Sequence, residues 1–316
     1  MKISILLCTY NDELFIKDCI DSILHQSHSN FEFIIINDGS TDSTLDIINS
    51  YKDERIKVFT KVNSGLTSSL NFGLKQCETN WIARVDADDI CFSNRLEEQI
   101  KHIDEDVAVI GSRAKIIDGE GNYLRNDSSL PLNHEEILAA MCEAKQSMLH
   151  PSVLINKKLI DLVGGYDPRF IVAQDIDLWL RLAQVGKLKN VDMELIKLRK
   201  HLGNISLSKL HEQTVNGILS RVIYRKTIGN RNRQHDKLLD DKSFYMFKGY
   251  IHAQVDFCQL YKIRLHSNTL ASFKEKNDYI GLVKFLLKHP SALLFPFQKK
   301  IWKKILSNTE KKRLTR

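Results

Sequence analysis

The sequence predicts an α/β fold: a mostly parallel central sheet with helices on both faces, followed by a helical extension. Three observations predict it. Short continuous apolar runs of strand length recur through the first hundred residues. Stretches with apolar residues at helical spacing separate them, and a polar cluster follows several of the runs.

Ile3 to Cys8 is the first apolar run, and Asn11 or Asp12 is expected to cap a helix whose apolar face is Ile16, Cys19, Ile20, Ile23 and Leu24. Phe31 to Ile36 is the second strand. Ser40-Thr41-Asp42 is expected to start the next helix, which carries Leu45, Ile47 and Ile48. Ile56 to Phe59 follows as a strand, Asn63-Ser64-Gly65 as a turn into a helix reaching about Cys77, and Trp81 to Val85 as a fourth strand. Residues 107 to 125 read as strands around the turn Asp118-Gly119-Glu120-Gly121, and 134 to 143 as a helix. His150 to Leu154 looks like another strand entry, and Asp175 to Val185 has the period of a helix. Beyond about Ser208 the pattern is helical without strands, which sets domains of 1–208 and 209–316.

With 316 residues and 43% hydrophobic content the chain can bury a large core. Six cysteines without a C-x-x-C pair read as reduced thiols in a cytosolic protein. The first apolar run is too short for a signal peptide, and no stretch reaches membrane-spanning length. The net charge of +7 is concentrated in one segment. Residues 284–316 hold ten Lys/Arg against Glu310, and removing that +9 leaves −2 for the rest.

In parallel sheets of this kind ligands bind beyond the carboxyl ends of the strands. Thr9-Tyr10-Asn11, Asn37-Asp38-Gly39-Ser40 and Asp86-Ala87-Asp88-Asp89 are therefore expected along one edge. Closely packed carboxylates repel one another unless a cation sits among them, and Asp86-x-Asp88 suits a hard divalent ion such as Mg²⁺ or Mn²⁺. The plain alternative is an acidic turn before the helix near Ser93 or Asn94. An EF-hand is excluded because Ile90 and Cys91 stand where its loop needs a ligand and a glycine. Asp38 precedes the helix start and points into the strand-end crevice, placed to accept a hydrogen bond from a nucleobase; taken alone, the cluster fits a helix cap as well.

Together, residues 3–13 (ISILLCTYNDE), 31–42 (FEFIIINDGSTD), 83–89 (ARVDADD) and 164–181 (GGYDPRFIVAQDIDLWLR) resemble, in order and spacing, the family 2 glycosyltransferases. That resemblance, over residues 1–208, implies a GT-A fold and an inverting enzyme that uses a nucleotide diphospho-sugar. It implies that Cys8, Thr9 and Tyr10 lie along the nucleoside, that Asp38 binds the base, and that Arg84 and Asp86 lie near the ribose and diphosphate. Asp88 would ligate the metal, Mn²⁺ or Mg²⁺, and Asp175 would be the general base. The family's usual Glu before that Asp is here Gln174. Trp179 and Arg181 match a W-x-R pattern, with Trp179 read as core packing. Arg199 and His201 match a segment that closes near the diphosphate, so that Arg199 joins the donor-binding set and His201 either completes the metal site or is a plain surface histidine. His150-Pro151-Ser152 is either acceptor wall or structural turn.

In the tail, Ile301, Trp302, Ile305 and Leu306 share one helical arc, opposite Lys299, Lys300, Lys303 and Lys304. That is the pattern of an interfacial helix on anionic lipid. The expected function is transfer from a UDP-sugar to a saccharide or lipid-linked saccharide in cell-surface polysaccharide (O-antigen or capsule) synthesis. The expected location is the cytoplasm, at the inner face of the membrane, without nucleic acid as a partner. The alternatives are a metal-dependent phosphohydrolase and a non-catalytic nucleotide-sugar-binding protein.

Overall fold

The computed structural model describes residues 1–127, 129–201, 209–227, 241, 244–253 and 255. The basic tail from 284 onward lies outside the described residues. The chain forms two compact units, Met1–His252 and Ala253–Arg316. The elements and the site lie in the first.

The apolar runs become strands β1 (Ile3–Thr9), β2 (Phe31–Asn37), β3 (Ile56–Thr60) and β4 (Trp81–Asp86), and they pair in parallel in the order β3-β2-β1-β4. Every residue of β1 and β2 is buried, as expected for strands covered on both faces. Ile3, Ile5 and Leu7 face one core with α1 (Ile16–Leu24) and α2 (Thr44–Ser50). Leu6, Ile34 and Ile36 face a second core with α3 (Leu66–Gln76). Each fully buried Ile or Leu contributes about 1.5–3 kcal/mol, so the alternation fixes the strand register.

Beyond β4 the sheet becomes mixed, and only its first half is parallel throughout. β5 (Ile90–Cys91), β6 (Val107–Asp118), β7 (Tyr123–Asp127), β8 (Leu154–Asn156) and β9 (Lys187–Lys200) continue it. β8 pairs antiparallel with both β4 and β6, β9 runs parallel to β6, and β5 pairs antiparallel with β9. The fourteen-residue β9 is the strand the sequence pattern did not reveal, because its buried positions are interrupted by exposed Asp192 and Met193. Helices α4 (Arg95–Ile100), α5 (His134–Cys142), α6 (Lys157–Leu162), α7 (Gln174–Leu182) and α8 (Leu210–Thr227) complete the first unit, with a helical segment at 244–252. Among the described residues, no helix is long and apolar enough to cross a membrane.

Two expected caps differ. α1 starts only at Ile16, and no side chain caps it. Asn11 instead takes a left-handed φ of 57°, and the Asp12 carboxylate turns back to accept from Thr9 Oγ1 (2.7 Å) and Tyr10 N (3.1 Å). For α2 the acceptor is Asp42, whose Oδ1 takes Thr44 N at 3.0 Å. Gly39 has a φ of 73°, and a Cβ there would lie 2.9 Å from Asn63 N, so this strand-end turn requires glycine.

Candidate active site

The parallel register brings the strand ends together. Cys8 is level with Ile36 and Asp86, and Thr9 with Asn37, so β1, β2 and β4 deliver their polar residues to one edge. Cys8 is buried, and burial pushes its thiol far above the usual range, so it offers a neutral wall. Thr9 is buried with its hydroxyl on Asp12, while Tyr10 is 47% exposed at the rim.

Asp38, expected to meet a nucleobase, is 4% exposed and already accepts from Ser64 N (3.0 Å), Gly65 N (2.9 Å) and Lys61 Nζ. Its carboxylate thus organises the loop between β3 and α3 against the end of β2. Sequence spacing carries no signal for this, since Lys61 and Ser64 lie more than twenty residues away.

Arg84 on β4 is 2% exposed and reaches Asp86 Oδ1 through Nη2, while its Nε and Nη1 are buried without a partner. Burying donors unpaired is costly, so the geometry leaves hydrogen-bonding capacity at the floor of the site. Beside it, His150 bonds Tyr166 Oη at 2.8 Å and packs edge-on against Trp179. Burial, then the charge of Arg84, holds the His150 imidazole well below its usual range, and so it is neutral. This settles His150 as a buried support, and Trp179, 1% exposed, as core.

Asp86, Asp88 and Asp89 each offer an oxygen, all within 4.8 Å of one another. Burial, then the charge of Asp86, raises Asp88; Asp89 is raised further by burial and by both neighbours. Asp12 lies close enough that, with burial the largest cause, it is pushed up to about 6. Asp89 Oδ2 is buried without a partner. An all-oxygen set short of positive charge, with an orphaned carboxylate oxygen, fits a hard divalent cation.

β9 brackets this loop. Cys91 pairs with Ile196 and Ile90 with Lys197, so β9 delivers Arg199 and His201 to the carboxylates. His201 Nε2 lies 2.9 Å from Asp88 Oδ2, and its ring packs on Phe15. The structure thus places His201 at the acidic cluster. Arg199, expected beside the diphosphate, has its guanidinium turned into the protein. Its Nε donates to Asp88 O (2.9 Å), Nη1 to Gly119 O (3.0 Å) and Nη2 to Asp18 (3.3 Å), and its backbone N donates to Asp89 Oδ1 (2.8 Å). It is 3% exposed and holds the aspartate loop in shape.

Asp175 stands in the first turn of α7. Ala173 just before it takes a left-handed φ of 54°, a conformation costing about 1–2 kcal/mol for a residue with a Cβ, and this turn aims the helix start. Asp175 is half-buried, and Oδ1 accepts its neighbour Ile176 N at 2.9 Å. Burial raises its carboxyl above the usual range, against the lowering effects of that N–H and of Arg84. Asp86 and Arg84 both act electrostatically on Asp175, which places this carboxylate in the neighbourhood of the acidic cluster. Arg181, from the W-x-R pattern, is structural: it pairs with buried Asp177 and donates to Val163 O and Gly165 O.

Residues 4–163, half of the chain, match the family model "Glycosyl transferase family 2". The chain is 27% identical over 295 residues to a chondroitin synthase of Pasteurella multocida, covering 90% of this chain but 30% of the synthase. Staphylococcus aureus TarS 1–349 in complex with UDP-GlcNAc has the same fold, with a TM-score of 0.60 at 21% identity over 81% of this chain and 71% of that one. The mannosyltransferase PcManGT from Pyrobaculum calidifontis, in complex with GDP-Man and Mn²⁺, has a TM-score of 0.57 at 14% identity, covering 94% and 82%. The family match over half of the sequence and the fold shared with both sugar-nucleotide complexes make this chain a member of glycosyl transferase family 2, a GT-A glycosyltransferase.

Proposed function

We propose that the protein transfers a sugar, with inversion, from a UDP-sugar to a saccharide or lipid-linked saccharide. The observation that carries this reading is the trio Asp86, Asp88 and Asp89 at the carboxyl edge of the parallel strands, with half-buried Asp175 near enough to feel the charges of Arg84 and Asp86. The UDP-GlcNAc bound by TarS and the polysaccharide assembled by the chondroitin synthase support the donor and acceptor classes.

In this reading Asp88, with Asp86 and His201, holds Mn²⁺ or Mg²⁺, as the Mn²⁺ complex of PcManGT supports. Held there, a divalent ion would supply positive charge beside the leaving diphosphate. Arg84, buried behind Asp86, holds that carboxylate in place and lends the site its positive charge. Cys8, Thr9 and Tyr10 line the nucleoside, and Asp38 shapes the base pocket from the side of residues 61–65. Arg199 keeps the aspartate loop in register. Asp175 takes the proton of the acceptor hydroxyl as that oxygen bonds the anomeric carbon and the nucleoside diphosphate departs from the opposite face. Its raised pKa suits a base better than an ordinary aspartate would. The catalytic domain is residues 1–208, and the extension 209–316 carries a basic tail that rests on the inner membrane face during surface-polysaccharide assembly.

A thermal-shift screen of nucleotide sugars with Mn²⁺ tests the reading. A donor at a hundred times its Kd stabilises by about 2.7 kcal/mol. Selective stabilisation by a UDP-sugar is the expected outcome; no stabilisation by any nucleotide sugar, with Mn²⁺ or Mg²⁺, refutes it.

A further inference from the structure

Metal-ligating side chains gather at a second place, away from the acidic cluster. His211 and Glu212 stand at the start of α8, and His252 on the helical segment 244–252; one ligand atom from each lies within 4.8 Å of the others. The imidazoles of His211 and His252 face each other with ring centroids 5.1 Å apart. His252 Nε2 is 2.9 Å from Glu212 Oε2, and Lys248 Nζ is 2.6 Å from the other oxygen, Oε1. All three residues are half-buried, sheltered yet open to entry of an ion.

An ion pair between Glu212 and Lys248 is satisfied at Oε1 alone. It leaves unexplained why His252 meets the other oxygen, Oε2, with the His211 ring beside it. Two imidazoles and one carboxylate oxygen are the donor set of a borderline divalent ion: three protein ligands, with a fourth position for water. Lys248 on the distal oxygen fixes the carboxylate as an outer partner does. With two imidazoles to one carboxylate, this set contrasts with the carboxylate-rich site of Asp86, Asp88 and Asp89 beside His201, which prefers Mg²⁺ or Mn²⁺. The two sites therefore take different ions.

We propose that His211, Glu212 and His252 form a second metal site, of the Zn²⁺ class, that clamps the segment 244–252 to α8. Its effect reaches the catalytic cleft through packing. Asn216 on α8 donates to Val172 O at 2.9 Å, and a Cβ at Gly217 would lie 3.8 Å from Ile176, the neighbour of Asp175. An ion at the head of α8 thus steadies the wall behind the first turn of α7. The other end of the segment is held by Phe244, which packs edge-on against Phe170 under Arg169.

The test uses full-length protein stripped with a chelator, then titrated with Zn²⁺ against a chromophoric competitor in excess Mg²⁺. One Zn²⁺ per chain that Mg²⁺ does not displace is expected, with affinity at least about tenfold lower in His211→Ala and His252→Ala and unchanged in Asp88→Ala. Equal Zn²⁺ binding in the histidine variants, or loss of that binding in Asp88→Ala, overturns the proposal. Co²⁺ loading of the wild type needs no variant to fold. An intense visible band of a four-coordinate, nitrogen-ligated ion supports the site, and the pale spectrum of a six-coordinate oxygen site overturns it.

Discussion

Replacing Asp175 by Asn separates the base from everything else the cleft does. The substitution is nearly isosteric, and the Asn carbonyl oxygen still accepts Ile176 N, so the first turn of α7 keeps its hydrogen bond. What disappears is a carboxylate whose pKa is raised chiefly by burial. A group with a raised folded-state pKa is ionised at a cost to folding, so a neutral replacement leaves stability unchanged or slightly higher near neutral pH. The loss falls on the chemical step. Removing a positioned general base lowers the rate by about 10²–10⁴-fold, or about 2.7–5.4 kcal/mol of barrier. Turnover of a UDP-sugar, calorimetric titration of donor with Mn²⁺ and thermal melting together make the assay. The expected pattern is donor affinity within about twofold of wild type, unchanged melting and turnover down by at least about a hundredfold. Wild-type turnover removes Asp175 from this role, and lost donor binding assigns it to the donor side. In the wild type, kcat falls as pH drops through the Asp175 pKa, and that limb lies at higher pH than an ordinary aspartate gives, because burial raises it.

Asp88→Ala should weaken donor binding at least about tenfold in Mn²⁺ or Mg²⁺ and hardly at all in chelator, since it removes a charged oxygen ligand; equal affinities with metal would refute the assignment. Arg181→Met leaves Asp177, 2% exposed, without its counter-charge and costs about 3–5 kcal/mol in urea unfolding, whereas a loss below 1 kcal/mol would show the pair is dispensable. Glu32 is held down at about 2, because bonds from Ser4, Glu78 N, Lys57 and Lys2 outweigh the opposing burial. Its stabilisation is therefore complete above about pH 4.5 and lost as pH falls toward 2; with both lysines partly exposed it amounts to about 1–2 kcal/mol, read as the convergence of wild-type and Glu32→Gln stabilities in acid. Deleting residues 284–316 should abolish flotation with anionic vesicles, and undiminished flotation would refute a lipid-binding tail.

How much was legible in the chain itself follows from what is local. Continuous apolar runs and the 3.6-residue period are written in consecutive residues, and so β1 to β4, α3 and α7 stand where the pattern put them. The acidic cluster at the end of β4 follows directly. Asp86 and Asp88 were singled out by residue type and short spacing, and Asp175 by the match of its segment to the family's motif.

Pairing between distant segments is what the chain could not announce. Only the antiparallel contact of β5 with β9 brings Arg199 and His201 to the aspartate loop, across more than a hundred residues of sequence. Only the packed interior engages the Arg199 guanidinium with Asp88 O, Gly119 O and Asp18, and Asp38 with residues 61–65, because buried donors and acceptors must find partners wherever folding places them. Asp12 joined the acidic edge only through the left-handed turn at Asn11. Which chemistry is present was thus a matter of residue type; which way each charge points was decided by the competition for partners in the folded interior.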